Sequence, residues 1–509
     1  MVRKLFDIAS RINIHDIHQL EIKLEYDLKE LQKINKYKVD VYMFIPRAIN
    51  INEHTYSKDE FYSDMHNYIR FKTPSFSFKL ILDPDFERSP FYVLKDILIK
   101  PKKESDFEKK TIKELKLLGC MVRARFRDFR LFIERKLNKE NRDDEYLLIR
   151  VENKINRGIR ILEELRSLKE SFQNNYPEQT ELSKYFKLVE EFLSYLFEEE
   201  MIRIFRLLKQ EIVGNKQLEI LEEFFNDYMI REYEYRRNSG FSLIFDRSGK
   251  GKEYYIYQMG LYKKIVSSVL YLNVAREQIN LASVHVIGSI SAFTASIVYY
   301  LVASLISKQA ATNSILFVIL ISFGYVFKDR VKDIVKILFS PRMLSFLPDH
   351  KTKIFDPSNE KTPLGSIGET VSFTDKEQVA PEILRLRNIT LGDILPEQSP
   401  EEILVYRKEL TVNTDAVQKL HTRTVNFTDI MRFNLQKFFL KMDDPEQLIN
   451  YFDEELEQGT TTVGCRAYHI NLVLKYSRVS GEKEDIKYER YRLVANKLGI
   501  QRVEFIDET

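Results

Sequence analysis

Two apolar runs in the middle of the chain, Leu281 to Ile306 and Ala310 to Phe327, limit what it can fold into more than any other feature. They are nearly free of charge and stand back to back, with Lys308 as the one cation in the polar link Ser307 to Ser314. At about 1.5 Å per residue they would make helices of roughly 39 and 27 Å, against a bilayer hydrocarbon core near 30 Å. The expectation is a transmembrane helical hairpin over residues 281–328.

Cationic loops resist translocation, so the lysines and arginines near the ends set the orientation. Lys263, Lys264 and Arg276 precede the first run; Lys328, Arg330, Lys332, Lys336 and Arg342 follow the second. Both termini are therefore expected in the cytoplasm. Met1 to Leu20 carries charges and histidines where a secretory leader needs an apolar core, so no leader is expected. A bacterial cytoplasmic membrane is the default location. The two cysteines, Cys120 and Cys465, lie far apart and fit a reducing compartment better than a disulfide framework.

Inside the first run Gly288, Ala292 and Ser296 recur every fourth residue. Small residues at that spacing let a second helix approach closely, which makes them a helix-packing face, within the hairpin or between copies. No acidic or basic residue lies within either span, so an ion or proton pathway would lack its usual ionisable groups.

At 30% charged and 44% hydrophobic residues, the rest of the 509-residue chain reads as globular material in several domains. A net charge of +3 is close to neutral for this length and argues against a dedicated nucleic-acid binder. Residues 1–103 read as a small mixed α/β domain, with a helix through Ile17, Leu20, Leu24, Leu28 and Leu31. Its strands are expected at Lys38 to Ile45, Phe76 to Leu82 and Phe91 to Ile99. Over residues 104–240 four apolar stripes at helical spacing predict an antiparallel bundle; Leu115, Leu118, Val122, Phe126, Phe129 and Ile133 form the first. Residues 241–280 read as a β-hairpin and a membrane-leading helix, residues 329–345 as a basic juxtamembrane helix. Residues 346–509 form a C-terminal α+β domain in which strands dominate, seen most clearly in the alternation of Tyr468, Ile470, Leu472, Leu474 and Tyr476. The fold class expected is thus a multi-domain membrane protein. Its two-helix transmembrane hairpin would separate an N-terminal α/β plus helical-bundle region from a C-terminal strand-rich α+β domain.

Chemistry is sparsely written in this sequence. Ser248-Gly249-Lys250-Gly251-Lys252 resembles a phosphate loop in composition only, because Asp246 stands at the first required glycine and Glu253 at the required hydroxyl. The histidines are scattered and no metal site is assigned. Asp64, His66, Arg70 and Lys72 share a polar-aromatic segment, Phe61 to Pro74, and are the candidate ligand-binding residues. No catalytic residue and no cofactor are assigned, and no motif names a family. The expected function is a membrane-anchored cytoplasmic scaffold or signalling-type protein, homo-oligomeric, with the lipid bilayer and an unidentified cytoplasmic protein as partners. An oligomeric channel-like effector gated by its cytoplasmic domains is the alternative, and a membrane-anchored enzyme the weaker one.

Overall fold

A computed structural model describes residues 8–28, 32–99, 104–139, 142–175, 181–241, 249–277, 279–309, 315–344, 348–388, 400–421, 423, 426–455, 458–480 and 483–506. The chain divides into two compact units. One comprises Met1–Ile69, Leu272–Leu420 and Asn426–Thr509; the other comprises Arg70–Tyr271 and His421–Val425.

In chain order, β1 (Ile8–Ile14), β2 (Gln19–Tyr26), β3 (Ile34–Pro46), α1 (Lys58–Asp64) and β4 (Met65–Phe71) come first. Seven helices follow: α2 (Phe78–Ile81), α3 (Pro90–Ile99), α4 (Glu104–Leu137), α5 (Asp144–Asn175), α6 (Glu181–Glu211), α7 (Lys216–Asn238) and α8 (Gly249–Ser267). Next are β5 (Asn273–Glu277), α9 (Ile279–Gln309), α10 (Ile315–Leu344), β6 (His350–Phe355), β7 (Gly365–Thr374), α11 (Pro381–Asn388), β8 (Glu401–Asn413) and α12 (Thr414–Leu420). The chain closes with β9 (Phe427–Asn434), α13 (Gln436–Phe439), β10 (Glu446–Asp453), β11 (Gln458–Cys465), β12 (Tyr468–Ser480), β13 (Lys483–Asn496) and β14 (Gly499–Ile506).

The first unit is built on an eight-stranded sheet in the order β14-β13-β12-β3-β8-β7-β6-β5, antiparallel at every neighbouring pair. Its centre is β3, an N-terminal strand flanked by two C-terminal ones: Tyr42 stands opposite Val473 of β12 and Val405 of β8. A four-stranded sheet, β1-β2-β9-β4, faces it. Strand alternation sorts the two faces. Tyr37 of β3 meets Tyr26 of β2 between the sheets, and Tyr406 of β8 meets Phe61 there. On the outer face Tyr42, Phe44, Ile403 and Val405 pack under Ile383 and Leu386 of α11.

This architecture corrects the expected fold class in two respects. Separate N-terminal α/β and C-terminal α+β domains do not exist, because the N-terminal strand β3 is the middle of the C-terminal sheet. The two-helix transmembrane hairpin is not borne out either. Among the described residues one helix is long and apolar enough to cross a membrane: α9, through Gly288–Leu305, with mean hydropathy 1.5 and 11% of that window buried. In α10 the apolar stretch runs straight into Lys328, Asp329, Arg330, Lys332 and Asp333, all within the same helix, and residues 310–314 lie outside the described residues. The two helices pack along each other, with Gly324 of α10 against Tyr299 and Val302 of α9. Together they connect β5 to β6, which pair antiparallel at one edge of the large sheet.

Local assignments also change. Residues 19–26 form β2, with Leu20, Ile22, Leu24 and Tyr26 buried in strict alternation, where a helix was expected. The segments around Phe78 and Phe91 are helices, not strands. The expected hairpin after Phe241 is replaced by α8 from Gly249 onward, and its residues 242–248 lie outside the described residues.

The second unit is helical, as the four stripes indicate. Every residue of α6 from Val189 to Phe197 is buried, so this helix is the hub on which α4, α5, α7 and α8 lean. A helix buried all round must satisfy its polar side chains internally. Glu190 receives Arg166 at 3.0 Å and Lys169 at 2.9 Å, Glu191 receives Tyr262 at 2.9 Å, and Ser194 donates to Glu232 at 2.6 Å.

Candidate functional site

The four residues singled out in the N-terminal segment divide between the two units. Asp64 is buried at the end of α1, where its carboxylate accepts from the Tyr56 hydroxyl at 2.8 Å and pairs with Lys437 at 3.1 Å. Burial first, and the Asp64 carboxylate second, hold the Tyr56 hydroxyl well above the usual phenol range. His66 is exposed on β4, two residues before Tyr68 on the same strand face, whereas Arg70 and Lys72 belong to the helical unit.

On α9, Gly288 faces open space and Ser296 is exposed with its hydroxyl bonded to the Ala292 carbonyl of its own helix. The small residues that are buried are Ser291 and Ala295, each 1% exposed, on the face that also carries Tyr299 and Val302. The side chains of Ser283 and His285, in the first turns of α9, lie outside the described residues.

A different constellation appears in the helical unit. A cavity of about 360 Å³ opens between α2, α4 and α5. From α4 it receives Arg125, Asp128, Phe129 and Phe132, and from α5 Arg150, Asn153, Lys154 and Arg157. Both quartets follow the spacing i, i+3, i+4, i+7, which places four side chains on one helix face. Both also lie close to the α4–α5 connection, so an antiparallel pair brings them level. Because α4 and α5 each lean on α6, space is left between them; Phe78 at the start of α2 closes one side.

The cavity is electropositive. Asp128 is its one carboxylate, and Arg125 reaches it only at 3.5 Å while donating to the Ser75 hydroxyl at 2.8 Å. Arg150 donates to the Tyr146 hydroxyl at 2.9 Å. Among the described residues Arg150, Lys154 and Arg157 form no ion pair. Lys154 instead places its ammonium 3.9 Å from the centre of the Phe78 ring and 4.7 Å from that of Phe129, with the Arg125 carbonyl at 3.5 Å. Burial, then the neighbouring Arg125 and Arg157, push the Lys154 amine down to about 7, with Asp128 pulling the other way. Phe129 and Phe132 stack nearly parallel, 19° apart with centroids 6.2 Å from each other, and both are half-buried at the wall.

Sequence reading placed Phe129 in a core stripe and passed over the cations beside it. The signal was present as two matching quartets, Arg-x-x-Asp-Phe-x-x-Phe and Arg-x-x-Asn-Lys-x-x-Arg, on consecutive helices. Cys120, in contrast, is plain core: its thiol is buried against the Val266 carbonyl and its pKa is pushed up to about 12. Among the described residues no group of three or more His, Cys, Asp or Glu side chains is placed to hold a metal ion.

No family model, no curated protein and no solved structure matches this chain.

Proposed function

We propose that this protein is a membrane-tethered interaction protein, held at the bilayer by α9 and presenting its sheet unit and helical unit as binding surfaces on the cytoplasmic side. The observation that carries the reading is the exposed apolar surface of α9, where Ile290, Phe293, Ile297, Tyr300, Leu301 and Leu305 all face outward. Exposed apolar area costs about 25 cal/mol per Å² in water, and a continuous patch of this kind calls for a cover. The Gly288–Leu305 stretch is about 27 Å long as a helix, close to the thickness of a hydrocarbon core.

Its polar side chains are compatible with lipid. Thr294 and Ser296 return their hydroxyls to the Ile290 and Ala292 carbonyls, so neither needs water. The cations Lys263, Lys264 and Arg276 before α9 favour the cytoplasmic side for that end.

The test is extraction of membranes with alkaline carbonate, followed by vesicle flotation. The full chain is expected to stay in the membrane fraction, and a Phe293→Asp, Ile297→Asp variant to be released. A wild-type chain recovered as a monodisperse protein in the carbonate supernatant would rule the tether out.

A further inference from the structure

The cavity between α2, α4 and α5 lies wholly in the helical unit and owes nothing to the tether. Its volume of about 360 Å³ is that of a small-molecule site, too small for a macromolecular segment and large enough for one ring system with a charged group. Two properties of its wall restrict what it can hold.

The first is charge. Arg125, Arg150, Lys154 and Arg157 stand against Asp128 alone, and three of these cations have no carboxylate partner among the described residues. Guanidinium groups from α4 and α5, with an ammonium in the same cavity, match the several oxygens of a phosphate better than the two of a carboxylate. The second is the aromatic wall. The near-parallel rings of Phe129 and Phe132 stand half-buried beside the cations, with the Lys154 ammonium 4.7 Å from the centre of the first and the Arg150 guanidinium 5.7 Å from that of the second. Aromatic side chains at a phosphate site pack with planar ligand rings, as they do with the bases in nucleic-acid sites. Asn153, at the rim, supplies donor and acceptor groups for a ring edge.

We propose that this cavity binds a phosphorylated aromatic small molecule of nucleoside-monophosphate size, its phosphate held by Arg125, Arg150, Lys154 and Arg157 and its ring packed beside Phe129 and Phe132. The phosphate replaces the missing counter-ions, and the Lys154 ammonium, held in the free protein by ring faces and one backbone carbonyl, gains an anion on its open side. The amine then titrates higher in the complex than in the free protein. Affinity therefore falls as pH rises from about 7, the free Lys154 value, while the ligand phosphate keeps a constant charge above its own pKa of about 6.

Calorimetric titration of the full chain in detergent micelles tests this, with adenosine and uridine monophosphates, inorganic phosphate and adenosine as probes. The monophosphates are expected to bind, phosphate alone more weakly and adenosine not at all. Lys154→Gln and Arg157→Gln should each weaken monophosphate binding by roughly tenfold or more. Phe129→Leu should weaken the monophosphates but not phosphate. Between pH 7 and 9 the wild-type affinity should decline and that of Lys154→Gln should stay flat, a readout that a merely structural lysine would not move. Circular dichroism melts check that the variants fold, and Arg157, half-exposed on α5, is the variant least exposed to that failure. The proposal is overturned by absence of monophosphate binding at millimolar concentration, by phosphate binding as tightly as the monophosphates, or by binding that Arg157→Gln leaves unchanged.

Discussion

Lys408 of the eight-stranded sheet places its ammonium 2.6 Å from the carboxylate of Asp429 on the facing four-stranded sheet, and each side chain is 1% exposed. The pair is a charged bolt between the sheets, beside a second polar contact in which the buried Glu369 of the large sheet accepts from Asn67 of the facing one at 2.5 Å. Burial pushes the Asp429 carboxyl up and the attraction of Lys408 pulls it back; the second oxygen, Oδ1, has no hydrogen-bond partner among the described residues. Removing one partner strands the other, so Lys408→Met should destabilise the sheet unit by about 3–5 kcal/mol, whereas Lys408→Met with Asp429→Leu should recover most of the loss. The pH dependence has a definite sign. A carboxyl with a raised folded pKa favours folding when protonated, so the Lys408→Met defect should shrink as pH falls through the raised value toward about 3.9, the unfolded value. Thermal unfolding of the single and double variants at pH 5 and pH 8 measures both effects.

How much of this was legible follows from the range over which each signal acts. The bundle was legible because Leu115, Leu118, Val122, Phe126 and Ile133 repeat the helical period over several turns, and all of them are buried. In β12 the alternation of Ile470, Leu472, Leu474 and Tyr476 was equally plain. In β2 it was not: Leu20 and Leu24 fit a period of two as well as a helical i, i+4 step, and only Ile22 and Tyr26 decide for the strand. The pairing of β3 with β8 and β12 leaves no local trace, since Tyr42 finds Val405 and Val473 across most of the chain. The candidate residues Asp64, His66, Arg70 and Lys72 were chosen by adjacency, whereas the cavity cations come together through the return of one helix along another.

Gly158 of α5 sits against the buried ring of Phe197 on α6, and a β-carbon there would collide with the ring. Alanine has the better helix propensity by about 1 kcal/mol, so an exposed site would gain from the change. Here the ring is 1% exposed and has nowhere to go. Gly158→Ala should therefore lower stability, by about 1–3 kcal/mol, and Gly158→Val by more. An unchanged or higher melting temperature for Gly158→Ala would show that the two helices are not this close.

Burial, not distance, should set the worth of the ion pairs in the bundle. Arg166 reaches Glu232 at 2.6 Å and Arg203 reaches Glu199 at 2.5 Å, yet Glu232 is 2% exposed and Glu199 47%. Arg166→Met leaves the buried Glu232 without its 2.6 Å partner and Glu190 with Lys169 alone, and should cost about 3–5 kcal/mol. Arg203→Met breaks this solvated pair and a 3.4 Å contact to Glu200, which keeps Arg130 at 3.2 Å, and should cost about 1 kcal/mol or less. Equal losses in the two melts would mean that solvent reaches the centre of the bundle.

The outward face of α9 carries the last prediction. Ser291 and Ala295 are used within one copy, on the face toward α10, whereas Gly288, Ala292 and Ser296 form an adjacent small-residue row, and a β-carbon added at Gly288 would meet nothing within 4 Å. Backbones that approach along such a row gain packing that leucine would block. If copies of the chain associate in the membrane through this row, Gly288→Leu with Ala292→Leu should weaken self-association without lowering the melting temperature of the sheet unit. Ala295→Leu, in contrast, should disturb the packing of α9 on α10 within each copy. Energy transfer between labelled chains in vesicles, read over a range of protein-to-lipid ratios, separates these outcomes: identical dilution curves for wild type and the double variant would exclude the row as the interface.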